Sequence, residues 1–195
     1  MAISLSLSTE DVLLAVLVRE FRANQGSNFL GRTAVQKLMY FLKALGAPIS
    51  DHFSIYYYGP FSEQLSGRVE RLLAEGVLAD TSPDRGAYSN YAIEPRGIEL
   101  LERHAAQAAQ HEDLVRKVVR VLGQLTPDRL ELISTTHFAE QKLRVEKKAA
   151  PSADDVVGQV RQYKGERFSV DDIGSAYRAM VKAGLVATEL QRPGG

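Results

Sequence analysis

Apolar residues recur at helical spacing along most of this chain, and this pattern constrains its fold more than any other feature. One apolar face precedes Asn24, and a second runs from about Thr33 to Leu45. Beyond Pro95 the same spacing continues almost to the C-terminus, and Thr126-Pro127 is a typical helix start. The second half is therefore predicted to be helical throughout, with residues 140–152 forming a charged surface connection or a frayed helix end.

Two stretches between the first helices are typical of strands instead. Residues 53–58 are aromatic and β-branched, and Gly59-Pro60 is expected to close them as a tight turn. A helix should follow from about Ser62 to Glu75, and residues 77–93 should form a hairpin. Helix, helix, strand, helix, hairpin is the order of a winged-helix module. The predicted fold is thus mainly α with a small β component: a winged-helix-like N-terminal module followed by an α-helical C-terminal half.

The predicted order of helices and strands also suggests a domain organisation. Residues 1–94 are expected to form the winged-helix-like module, and residues 95–195 a helical region that packs on it. One continuous domain is the alternative, since 195 residues suit either arrangement.

Charge and composition limit where the chain works and what it binds. Twenty-four basic side chains balance twenty-four acidic ones, so no global positive field attracts phosphates or anionic lipid. The chain has no cysteine, which excludes disulfides and thiolate metal sites. No stretch is typical of a signal peptide or a membrane span, so the expected location is the cytoplasm, with no membrane partner.

Short motifs for catalysis are missing from the sequence. The four histidines, at positions 52, 104, 111 and 137, lack the spacing of a helical zinc site, and no glycine-rich phosphate loop or nucleophile elbow occurs. His137 is expected to be a buried, hydrogen-bonded histidine. We therefore predict no catalytic residue, no metal, no cofactor and no enzymatic activity.

Two groups of side chains are candidates for binding. In a winged helix the third helix enters the major groove and the hairpin touches the backbone, which makes a DNA-binding set of polar and basic residues. That set is Arg32, Lys37, Gln64, Arg68, Arg71 and Arg85. Neighbouring acidic residues oppose phosphates there, and the alternative is that these charges only solvate helix surfaces.

The second group is the aromatic run that ends in Gly59-Pro60. Exposed tyrosines favour protein contacts or base stacking, because each joins a large apolar ring to a polar tip. The candidate partner-binding residues are Tyr57, Tyr58, Gly59, Pro60 and Phe61. The alternative is that these rings belong to the core.

Several of these segments resemble a known group of bacterial proteins. Gln36-Lys37-Leu38-Met39-Tyr40 and the later Tyr57-Tyr58-Gly59-Pro60-Phe61-Ser62 are similar to the paired motifs of the Panacea antitoxin domain and its little-characterised winged-helix-like relatives. That family contains toxin-neutralising proteins and proteolytic adaptors. The resemblance implies a non-enzymatic protein-interaction component, antitoxin-like or adaptor-like, of a bacterial regulatory or defence system.

The expected partner is accordingly a protein, either a toxin or a regulated protein. The alternative function is a winged-helix DNA-binding transcriptional regulator, for which DNA is the partner. Self-association as a homodimer suits both, since the helix around residues 115–122 has apolar surface for it.

Overall fold

The computed structural model describes residues 7–25, 29–83 and 88–186, and these are mainly helical with a small β component, as predicted. Helices dominate both compact units, and the strands are each three residues long. In chain order the elements are α1 (Thr9–Gln25), α2 (Arg32–Ala44), β1 (Ser54–Tyr56), β2 (Gly59–Phe61), α3 (Glu63–Ala74), β3 (Leu78–Asp80), β4 (Tyr91–Ile93), α4 (Pro95–Arg103), α5 (Ala105–Leu122), α6 (Pro127–Lys147), α7 (Ala153–Lys164) and α8 (Val170–Lys182).

The first unit comprises Met1–Phe53 and Ser62–Leu125, and α1 forms its centre. This helix packs against α5 and also contacts α4 and β4. Every residue from 12 to 18 is buried, so α1 is enclosed on all sides and not only on the predicted apolar face. β3 and β4 pair antiparallel as the expected hairpin.

Polar groups fix the start of α3 within this unit. The Gln36 side chain donates from Nε2 to the Ser62 carbonyl and accepts at Oε1 from the Ser62 amide, both at 2.9 Å. Ser62 is also the N-cap of α3, since its hydroxyl accepts from the Leu65 amide. Gln36 therefore fixes where α3 begins.

The second unit comprises Ser54–Phe61 and Thr126–Gly195. Its helices α6, α7 and α8 pack against one another, and β2 packs on α6. The buried core joins these three helices through Leu132, Ala139, Leu143, Val156, Val160, Ile173 and Ala176. Ser152 caps α7 in a reciprocal box with Asp155, which fixes the direction of that helix.

The structure corrects two local predictions. Gly59-Pro60 is not the turn after the first strand: both residues belong to β2, and Tyr57-Tyr58 form the turn. Residues 140–147 are not a surface connection, because α6 continues to Lys147 and the Glu140 side chain is fully buried beside Arg144. The boundary expected after residue 94 differs from the limits of the two units and stays a prediction about domains. The winged-helix description of residues 1–94 also stays a prediction.

None of the helices in the described part of the chain has both the length and the apolar character that crossing a bilayer requires.

Gly97 in α4 provides a test of the packing in the first unit. A Cβ there would lie 2.4 Å from the Val77 carbonyl oxygen and 2.7 Å from Ile93 Cγ1, so Gly97→Ala should lower the free energy of unfolding by roughly 1–3 kcal/mol. Gly67→Ala in α3 is the control, because a Cβ there meets nothing within 4 Å. It should stabilise the protein by about 0.5–1 kcal/mol. Urea titrations followed by circular dichroism measure both, and equal stabilities would contradict this packing.

His137 makes stability depend on pH. Burial lowers the pKa of this imidazole from 6.5 to about 4, while its Nε2 lies 3.2 Å from the Leu185 carbonyl. The unfolded chain therefore binds this proton more tightly, and the stability present above pH 6.5 is lost as pH falls toward 4. Between about pH 7 and 5 the loss should be on the order of 2 kcal/mol.

Urea titrations at several pH values test this dependence. His137→Gln should flatten the profile between those limits. His52→Gln, at an exposed position, is the control and should keep the wild-type slope. An unchanged slope in His137→Gln would show that another group causes the pH dependence.

Candidate functional site at the tyrosine turn

Three consecutive tyrosines, Tyr56, Tyr57 and Tyr58, stand out from the surface of the second unit, and we call them the tyrosine turn. They are 58%, 77% and 60% exposed. Tyr40 and Tyr91, in contrast, are 7% and 3% exposed. A soluble domain seldom leaves three adjacent aromatic rings in water, so this turn is the first candidate for a binding site.

The short hairpin places these rings outside while its second strand is buried. β1 and β2 pair in the register Ser54 with Phe61 and Tyr56 with Gly59. Gly59 has φ of 93°, a conformation that L-residues with a Cβ rarely adopt, and its position directly after Tyr58 lets the chain leave the turn and enter β2. Gly59 and Pro60 are buried, and β2 packs on α6. The strand thus anchors the hairpin, and the turn projects from it.

Lys164, the last residue of α7, holds the turn through backbone carbonyl oxygens. Its Nζ donates to the carbonyl oxygen of Tyr56 at 3.2 Å and also to that of Tyr57. The same Nζ lies 2.9 Å from Glu131 Oε1 in α6. Both side chains are almost completely buried, with 4% and 3% exposure. Because Glu131 Oε1 accepts no well-aligned hydrogen bond from the described residues, its contact with Lys164 is mainly electrostatic.

Arg167 continues the Lys164–Glu131 ion pair toward the surface. Arg167 Nη2 lies 3.0 Å from Glu131 Oε2 and 2.9 Å from Asp128 Oδ1. The Asp128 side chain is 82% exposed and that of Arg167 is 42% exposed. An exposed ion pair contributes little to stability, so Arg167 can exchange Asp128 for another anion at small cost.

The rings of the turn contact one another. Tyr56 meets Tyr57 edge to face, with centroids 5.0 Å apart, and lies 5.5 Å from the Phe61 ring at a tilt of 33°. Such contacts orient the rings without covering their outer faces. The arrangement therefore offers flat aromatic surfaces to a ligand.

The predicted partner-binding residues are thus brought together in one hairpin, but they occupy different positions. Tyr57 and Tyr58 are exposed, Phe61 is half-buried, and Gly59 and Pro60 are buried. Of these residues, Tyr57 and Tyr58 are open to direct contact with a ligand, while Gly59 and Pro60 shape the backbone. Their role in binding stays a prediction.

The predicted DNA-binding residues are not gathered in the same way. Arg68 is engaged internally, with 2.9 Å contacts to Asp11 and to Asp51, and Arg71 also pairs with Asp11. Hydrogen bonds from both arginines lower the pKa of Asp11 against the opposing effect of burial. These carboxylates already neutralise the two arginines, which leaves less positive charge for phosphate.

The other members of that set lie in different environments. Lys37 is buried, Arg32 is exposed at the start of α2, and Gln64 accepts a hydrogen bond from the His52 amide. Arg85 lies outside the described residues. The set as a DNA-binding surface stays a prediction.

Sequence reasoning missed Lys164, Glu131 and Arg167. Lys164 is 107 residues from Tyr57 in the chain, so no local motif connects the two. A lysine at the end of a helix and an arginine shortly after it are ordinary in any sequence, because cations are favourable near a helix C-terminus. Only the packed second unit reveals their common role.

Among the described residues no group of three or more histidine, cysteine, aspartate or glutamate side chains is arranged to hold a metal ion.

Comparison with known proteins gives two partial similarities. Over 68 residues, 35% of this chain, it is 29% identical to the uncharacterised protein YwgA of Bacillus subtilis, of which the match covers 41%. Over 111 residues, 56% of this chain, it is 31% identical to a DNA ADP-ribosyl glycohydrolase of Thermus aquaticus, of which the match covers 30%. The chain therefore spans less than half the length of these curated relatives. No model of a known protein family matches it.

The second similarity corrects the functional prediction. We expected no enzyme, and a non-enzymatic interaction component or, as the alternative, a transcriptional regulator. Similarity to a protein named as a DNA ADP-ribosyl glycohydrolase contradicts those expectations. The error has a physical reason: short motifs detect only sites built from neighbouring residues, whereas catalytic sites in general can also be assembled from distant ones. The Panacea resemblance stays a prediction.

Removing Lys164 should destabilise the second unit and loosen the tyrosine turn. Lys164→Met leaves the buried Glu131 carboxylate without its lysine partner, so we expect a loss of about 3–5 kcal/mol. Arg161→Met is the matched control, since its partner Glu166 is 91% exposed and the change should cost under about 1 kcal/mol. Urea unfolding measures both variants. A similar small loss in each would show that the buried pair does not hold this unit together.

Proposed function

We propose that this chain acts in the hydrolytic removal of ADP-ribose from DNA, and that it binds the ADP-ribosylated strand. The observation that carries the proposal is the 31% identity over 111 residues with a DNA ADP-ribosyl glycohydrolase. More than half of this chain takes part in that match, so it is not confined to one motif.

The substrate of such a hydrolase determines what the protein must recognise. ADP-ribose joined to DNA presents flat bases, ribose hydroxyls and a diphosphate next to the strand's own phosphates. Aromatic faces recognise the bases, and arginine or lysine recognises phosphate. The second unit has both kinds of group, in the tyrosine turn and in Arg167, and the contacts of Lys164 and Glu131 connect them.

Neutral net charge fits a protein that selects a modified strand. A strongly basic protein binds any DNA through its phosphates, and that binding weakens steeply with salt. This chain has 24 basic and 24 acidic side chains, so general attraction to DNA is weak. Preference for the modified strand then depends on local contacts with the ADP-ribosyl group.

Binding and hydrolysis on one oligonucleotide test the proposal. A fluorescent single strand carrying one ADP-ribose is compared with the same strand without it, at physiological salt. We expect the purified chain to bind the modified strand at least about tenfold more tightly in fluorescence anisotropy, a difference of about 1.4 kcal/mol. Release of ADP-ribose faster than in buffer, followed by chromatography, would support the proposal independently.

Two results together would contradict the proposed function. Equal affinity for the two strands, together with release no faster than in buffer, would exclude this chain from the reaction. Heat-denatured protein serves as the control for binding caused by unfolded chain.

A further inference from the structure

We infer that the tyrosine turn is a stacking site for an unpaired base of the DNA strand, with Lys164 as its positioning residue. The identity of the strand rests on the proposed function. The stacking site itself rests on the geometry of the turn.

The rings of the tyrosine turn are open to a ligand. Tyr57 is 77% exposed, and Tyr56 and Tyr58 keep more than half of their surface in water. Leaving aromatic rings exposed forgoes the free energy that burial of apolar surface gives. A ligand that covers these rings recovers that free energy, and every nucleobase has a flat face that can do so.

Lys164 fixes the backbone of the tyrosine turn. Lys164 Nζ binds the carbonyl oxygens of Tyr56 and Tyr57, and its charge is balanced by the buried Glu131. The turn is therefore held in place before any ligand arrives. A preorganised site binds more tightly, because less conformational entropy is lost on association.

Basic residues precede and follow Lys164, which contacts the backbone of the turn, and they favour a nucleotide over an apolar ligand. Arg161, Lys164 and Arg167 follow one another at three-residue spacing, and the first two share a face of α7. Arg161 pairs with Glu166, which is 91% exposed, and Arg167 pairs both with Asp128, which is 82% exposed, and with the buried Glu131. The exposed pairs are weak, so Arg161 can release Glu166 for a strand's phosphate, and Arg167 can exchange Asp128 for one while it keeps its contact with Glu131.

Photo-crosslinking locates the base directly. A single-stranded oligonucleotide with one 5-iodouracil is irradiated with the purified chain, and the attached peptide is identified by mass spectrometry. We expect attachment within residues 56–58. Attachment only in other segments would overturn the inference.

Matched variants measure the contribution of stacking. Tyr57→Ala should weaken binding of the single strand about tenfold, whereas Tyr57→Phe, which keeps the ring, should bind like the wild type. Tyr88→Ala is the control at an equally open position, since Tyr88 is 74% exposed. Lys164→Arg, which keeps the charge, should retain more affinity than Lys164→Met.

The outcomes separate this inference from the proposed function. Wild-type affinity in Tyr57→Ala would overturn the stacking site and leave the turn for a protein partner. If free ADP-ribose displaced the unmodified strand at equal concentration, the occupant would be its adenine, and the inference as stated would fail. Tyrosine-dependent binding without preference for the ADP-ribosylated strand would contradict the proposed function and leave the stacking site intact.

Discussion

Lys164 and Glu131 form an ion pair inside the second unit, and the candidate site depends on it. Burying either charge by itself would cost several kcal/mol, so each side chain requires the other. With the pair in place, the remaining hydrogen-bonding capacity of Lys164 goes to two carbonyl oxygens of the tyrosine turn. One interaction thus connects α6, α7 and the β1–β2 hairpin.

A second fixed point lies where the chain leaves that hairpin. Gln36 binds both backbone groups of Ser62, the residue directly after β2. The glutamine side chain satisfies one backbone donor and one backbone acceptor at once, because its amide group carries both an acceptor oxygen and a donor nitrogen. It therefore ties α2 to the start of α3.

Patterns with a local cause could be predicted from the sequence. The helices after Pro95, the α3 helix and the β3–β4 hairpin follow from periodicity, capping residues and turn residues, which act over a few positions. The enclosure of α1 could not be read in this way, because burial on all sides depends on helices that lie far along the chain. The continuation of α6 was missed for a similar reason, since the charge of Glu140 is compensated by Arg144 inside the fold.

The candidate site was predictable only in part. The tyrosines and Gly59-Pro60 are conspicuous in the sequence, and their assignment to binding needs only the chemistry of exposed aromatic rings. Lys164 and Glu131 come from helices more than 60 residues beyond β2, Arg167 lies between α7 and α8, and none of the three has a distinguishing motif. The absence of a catalytic motif also led to the wrong expectation of a non-enzymatic protein, which the glycohydrolase relative corrects.

The central claim is that a buried ion pair holds three exposed tyrosines in an ordered turn. Backbone ¹⁵N relaxation of the free protein tests this most directly. If the claim is right, the order parameters of residues 56–58 should match those of α6, at about 0.85. Values below about 0.6 in the turn, with α6 rigid, would show that Lys164 does not hold it and would contradict the account.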